Sequence, residues 1–109
     1  MDVQEIVVFV TVGSLQDGSA IGRALVEKKL VACVNLIPQV TSIFRWEDRV
    51  SEEQECLMIM KTRKELYAKL EGTVRELHQY EVPEIIALPV THGLPDYLAW
   101  VRSSTQSVD

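Results

Sequence analysis

The apolar patterns along the chain alternate between strand and helix periods in the order β-α-β-β-α-β, followed by a short helix. That order predicts an α+β fold. It is the split βαβ, ferredoxin-like sandwich, in which one antiparallel sheet carries two helices on one face. Three observations carry the prediction. A continuous β-branched run opens the chain, two long apolar runs flank a tight turn in its middle, and a helical stripe separates the first strand from the second and the third from the fourth. With 109 residues and 47% hydrophobic side chains, the chain has the size and apolar content of a single domain, 1–109.

Residues 6–12, IVVFVTV, read as a strand buried on both faces. Gly13 to Gly18 form a polar break, and residues 19–30 then place Ile21, Leu25 and Val26 on one helical stripe. Residues 31–37 start a second strand. Pro38 cannot donate to a ladder and marks a bulge or an edge. Val40 to Trp46 resume the strand, Glu47-Asp48 turn it, and residues 50–61 return. Thr62 and Glu65 fit a capping box, and Leu66, Leu70, Val74 and Leu77 make the core-facing stripe of the second helix. His78 falls in its last turn, and Pro83 forbids helix beyond. Residues 84–91 read as the last strand. Pro95 suits the start of a short helix lined by Tyr97, Leu98 and Val101, and the tail from Ser103 is expected to fray.

The central hairpin is too long for one domain. Its sixteen-residue arm, 31–46, spans about 50 Å extended, whereas a domain of this size is only about 35 Å across. The projecting tip carries Phe44 and Trp46, which suggests burial against another subunit. The same hairpin separates the two cysteines. With paired residue numbers summing to about 95, Cys33 faces residue 62 and Cys56 faces residue 39, roughly 20 Å apart along the strands. A disulfide needs Cα atoms within about 7 Å, so both thiols are expected to be reduced.

Several function classes are excluded. Net charge is −5 without a basic run, a poor footprint for nucleic acid. No apolar stretch reaches the roughly 20 residues that cross a bilayer. The opening residues, MDVQEIVVFV, lack the basic segment and cleavage site of a signal peptide, so a cytoplasmic location is expected. Gly13 and Gly18 have the glycine spacing of a phosphate loop, but Ser19-Ala20 stands where its lysine and hydroxyl belong. The cysteines have no zinc-site spacing, and no nucleophile motif indicates an enzyme.

The chemically densest stretch is His78-Gln79-Tyr80-Glu81-Val82-Pro83-Glu84 on a helix-to-strand loop. Its imidazole and carboxylates could bind Cu²⁺, Zn²⁺ or another divalent ion, and equally could be a helix cap and solvated acids. Lys61 ends an apolar strand and needs a partner, for which Glu84 is a candidate.

The runs LVACVNLIPQVTSIFRWE, IMKT, RELHQYEVPEIIALPV and YLAW occur in that order over roughly residues 6–104. In this the chain resembles the CutA family of divalent-cation tolerance proteins. The resemblance implies a ferredoxin-like fold and a homotrimer held by the long hairpins. It also implies a role in tolerance of, or response to, copper and other divalent ions, with Cu²⁺ weakly bound as cofactor. It implies an inter-subunit cleft with Cys33, Lys61, Tyr80 and Glu81, and metal ligands His78 and Glu84. The family's similarity to trimeric PII signalling proteins implies an alternative: a signalling or scaffold module that binds a small anion or a partner protein in that cleft. Three departures are visible. Gln79 replaces a proline, Asp48 replaces a turn glycine, and Val10 and Leu77 stand where some relatives supply a cysteine and a histidine to copper.

Overall fold

The computed structural model describes residues 4–107. The first three residues of the acidic start and the last two of the tail lie outside them. Strand β1 (Glu5–Val12) leads to helix α1 (Leu15–Glu27), and the hairpin β2 (Cys33–Trp46) and β3 (Arg49–Arg63) follows. A 3₁₀ turn (Lys64–Leu66), helix α2 (Tyr67–Leu77), strand β4 (Ile85–Pro89) and helix α3 (Pro95–Ser103) complete the chain. The sheet order is β2-β3-β1-β4 and every pair is antiparallel. Each βαβ unit is thus split by a strand of the other, as the element order predicts. Among the described residues, no helix is long and apolar enough to cross a membrane.

Period-two alternation gives the sheet two unlike faces. Ile6, Val8, Val10 and Val12 lie beside Met58 and Met60 and pack against Ile21, Leu25, Leu70 and Val74. Burying each of these side chains is worth about 1.5–3 kcal/mol. The opposite face carries Val7, Phe9, Leu57, Ile59 and Ile37, with Ile86 and Leu88 next to Phe9 and Val7. Helix α3 covers one end of this face. There Arg102 pairs with the buried Glu5 at 2.8 Å, and Tyr97 reaches Cys33. The rest is open: Ile86 and Leu88 are more than half exposed, and Ile37 is 43% exposed.

The hairpin follows its expected register with one shift. Trp46 pairs Arg49 and Val40 pairs Glu55, but below a bulge between Ile37 and Val40 the pairing moves by one residue. Cys33 therefore faces Lys61 rather than residue 62. Pro38 sits in that bulge, and Gln39 beside it has a left-handed φ of 60°. Glu47 and Asp48 both turn with positive φ, 49° and 66°, the pattern of a two-residue hairpin turn. The ladder carries the tip out along a long axis of 45 Å against 26 and 22 Å. Cys33 and Cys56 are both free thiols.

The helix ends correct the sequence reading. Helix α1 starts before Gly18, not after it: Ser14 caps it by accepting from the Asp17 N–H at 3.1 Å. It also ends earlier than residue 30, because Lys29 turns left-handed at φ 60°. Leu30 N–H then bonds Leu25 O and Lys29 N–H bonds Val26 O, the paired bonds of a Schellman end. Lysine is a poor residue for that backbone. Lys29→Gly is expected to raise stability by about 0.5–1 kcal/mol, the relief of left-handed strain less the added unfolded-state entropy. The check is a higher urea midpoint at unchanged slope.

Thr62 makes no capping box. It is fully buried at the end of β3, where its hydroxyl donates to Leu30 O at 2.7 Å, and α2 starts only at Tyr67 after the 3₁₀ turn. Leu66, Leu70 and Val74 are buried as expected, but Leu77 is 44% exposed. The tail does not fray at Ser103. Thr105 is buried, and Gln106 ties the chain end to the α1–β2 turn through its N–H to Lys29 O and its amide to Lys28 O.

Candidate functional site

The predicted site residues fall into three groups within one chain. The first is built on the loop that follows α2. His78 leaves the helix with an extended backbone, ψ 144°. Its Nε2 lies 2.7 Å from Thr11 O, and the Tyr80 N–H donates to its Nδ1 at 3.0 Å. An acceptor role at Nδ1 puts the proton on Nε2, so both ring nitrogens of the neutral imidazole are engaged. The Tyr80 ring lies 4.6 Å from the His78 ring, and its hydroxyl donates to the buried Glu55 carboxylate at 2.8 Å. Val12, Gly13, Asp17, His78 and Tyr80 border a recess of about 80 Å³, room for little more than water.

The second group lies on the open sheet face. Cys33 and Lys61 are ladder partners, and Lys61 donates to the Asn35 side-chain oxygen. The Cys33 thiol lies 3.6 Å from the Tyr97 hydroxyl, and Trp100 stands beside Tyr97 with ring centroids 5.6 Å apart. The pairing of Lys61 with Glu84 does not occur, because β1 separates β3 from β4. Tyr80 is anchored on Glu55, six residues from Lys61 along β3, or about 20 Å. One chain therefore does not gather Cys33, Lys61 and Tyr80 together.

The third group is Glu81 and Glu84, both exposed. Glu81 borders a shallow groove with Glu71 and Arg75. Among the described residues the one ion pair is Arg102–Glu5, so neither acid has a salt-bridge partner.

The model of the CutA1 divalent ion tolerance protein family matches residues 6–104. The chain belongs to this family. It is 48% identical over 101 residues to the divalent-cation tolerance protein CutA of Thermus thermophilus, covering 93% of this chain and 98% of that one. It is 51% identical over 100 residues to Protein CutA of Mus musculus, covering 92% of this chain but 56% of the mouse protein. The chain thus spans little more than half the length of its mammalian relatives. Among solved structures it superposes on the Thermus thermophilus divalent cation tolerance protein with a TM-score of 0.92 at 47% identity, covering 94% and 99% of the two chains. On CutA1 from Oryza sativa the TM-score is 0.94 at 40% identity, covering 97% of each.

Among the described residues, no three His, Cys, Asp or Glu side chains converge. Val10 is fully buried in the core, and Leu77 edges the recess beside His78 without a ligating atom. Sequence reasoning missed Glu55, Asn35, Tyr97 and Trp100 as neighbours of the predicted residues. The i, i+3 spacing of Tyr97 and Trp100 was readable as one helix face. That α3 folds back over Cys33 was not.

Charge around Tyr80 has a measurable consequence. Burial, the hydrogen bond to Glu55 and the charges of Glu55, Glu53 and Asp17 push its hydroxyl from 10.0 up to about 12. Tyr67 rises in the same direction through burial and Glu71. A group whose folded pKa is raised gives stability that is complete below its unfolded pKa and is lost as pH rises through the folded one. Stability is therefore expected to fall between about pH 10 and 12. In thermal melts across that range, Tyr80→Phe should flatten the fall.

Proposed function

We propose that the chain acts in divalent-cation tolerance as a cytoplasmic homotrimer that meets copper weakly, and that it is a binding protein rather than an enzyme. Family membership, and the divalent-cation tolerance for which its Thermus relative is named, support the metal role. The apolar sheet face left open in one chain is the observation that favours assembly. An imidazole with a carboxylate suits Cu²⁺, and His78 and Glu84 are the proposed ligands. Weakness has a physical cause. To ligate through Nδ1, His78 must give up the Tyr80 N–H, which costs about 1 kcal/mol.

Calorimetric titration of Cu²⁺ into the protein and into His78→Ala tests the reading. Binding at least about tenfold weaker in the variant is expected, the equivalent of roughly 1.4 kcal/mol. Equal affinities would remove His78 from the metal's path.

A second reading, a PII-like module that binds a small anion, is favoured by Lys61. It lies half-buried with an amide, not a carboxylate, as its hydrogen-bonded partner. A thermal-shift screen separates the two readings, because a ligand that binds only the native state raises its melting temperature.

A further inference from the structure

We propose that Arg63, Lys69, Lys28 and Lys29 form a receiving site for a phosphate monoester carried on Ser107, which clamps the end of the chain onto the helix layer. The inference is independent of the metal and small-anion readings.

The tail already runs through a cluster of cations. The Arg63 guanidinium at the end of β3 donates to Gln106 O, and the Lys69 ammonium on α2 donates to Gln106 Oε1 at 3.1 Å. Gln106 in turn donates through its N–H to Lys29 O and through its amide to Lys28 O. Both lysines therefore stem from backbone that the tail touches. Among the described residues the one ion pair is Arg102–Glu5, so none of these four cations has a carboxylate partner. Glu27 and Glu65, the acids beside them in sequence, are exposed and unpaired with them. A guanidinium has five N–H donors and an ammonium three. Arg63 spends one on Thr105 and one on Gln106, and Lys69 spends one on Gln106. Donors and charge remain on both.

Ser107 places an anion there. It is exposed and directly follows the carbonyl that Arg63 holds. The other tail hydroxyls are engaged or less open: Ser103 donates to Trp100 O, Thr105 donates to Val101 O, and Ser104 is half-buried. Phosphorylation by a protein kinase forms the Oγ–P bond and breaks the β–γ P–O bond of a nucleoside triphosphate. The serine proton is released and the nucleoside diphosphate leaves. The product carries nearly two negative charges and three acceptor oxygens, which match two or more cations with spare donors, and arginine meets phosphate with paired N–H bonds. A tethered group needs no cavity to hold it in place. The tail lies against the α1–β2 turn and α2. Assembly through the open sheet face thus leaves Ser107 accessible.

The test is phosphoserine encoded at position 107 of the full chain. Phosphorus NMR should find its second ionisation at least about threefold more acidic than in the free tail peptide, because neighbouring cations favour the dianion. The melting temperature at neutral pH should rise by about 4 °C or more over the unmodified protein. That gain should shrink in about 1 M salt. Lys69→Met, at an exposed position that the fold tolerates, should reduce both effects. Phosphoserine placed instead at position 103, in the last turn of α3, should give no rise, because the helix dipole repels an anion there. An ionisation no more acidic than the peptide's, an undiminished gain in Lys69→Met, or an equal rise from position 103 would each overturn the proposal.

Discussion

Ile59→Glu is expected to reduce the light-scattering mass from about three times the 12.3 kDa chain to a single chain. Ile59 stands mid-row on the open face, between Asn35 on β2 and Phe9 on β1, with Ile86 beyond. In an isolated chain that position is only half-buried, so a carboxylate there stays hydrated and the fold should persist. Pressed against another subunit, the same carboxylate is stripped of its water. Within its own chain Arg102 is paired with Glu5 and Arg63 is bonded to Thr105, so the nearest cation is Lys61, two residues along the strand toward α3 and hydrogen-bonded to Asn35, which compensates the charge only in part. Burying an unpaired charge costs several kcal/mol per site, enough to dissociate a symmetric assembly that repeats the contact. Unchanged circular dichroism with a monomer mass is the expected pair of results. A parent protein of monomer mass would end the trimer proposal, and a variant that stays assembled would move the interface off this face.

The fold was legible where local rules and tertiary packing agree. The hairpin register follows from apolar runs around a short turn, and Pro38 announced the bulge that shifts Cys33 onto Lys61. The ends of α1 were not legible, for opposite reasons. Two glycines made Gly13–Gly18 resemble a loop although Ser14 caps a helix there by accepting from the Asp17 N–H, and Lys29 ends that helix with a backbone usually left to glycine. The site was legible only as residue types. His78 was readable as a possible ligand. The carbonyl of Thr11, 67 positions away, takes up one ring nitrogen, and only the fold brings it there. Lys61 was readable as a cation in need of a partner. Which partner it takes depends on strand order, and β1 between β3 and β4 gives it Asn35 instead of Glu84.

Gly18→Val is expected to destabilise the protein by about 2 kcal/mol or more, by overpacking. The residue that looked like part of a polar break is a packing glycine. A Cβ there would lie 3.2 Å from Cys56 Sγ and 3.3 Å from both Leu36 and Val12 side-chain carbons. Cys56 and Val12 are each 1% exposed, so neither can retreat toward solvent. Gly22, one turn on, lies similarly close to Val34, and the two glycines together let α1 sit low on the sheet. Valine adds two methyl groups in this contact and a β-branch in the helix, and only part of the loss returns as relief from glycine's backbone entropy. Gly72 in α2 separates packing from propensity. Nothing lies within 4 Å of its added Cβ, so Gly72→Ala should stabilise the protein by about 0.5–1 kcal/mol through helix propensity alone. Urea midpoints moving in opposite directions for the two variants would tie the position of α1 to contact with the sheet. A Gly18→Val protein as stable as its parent would mean that the helix can rise off the strands without loss, and that its close seat is not what holds the core.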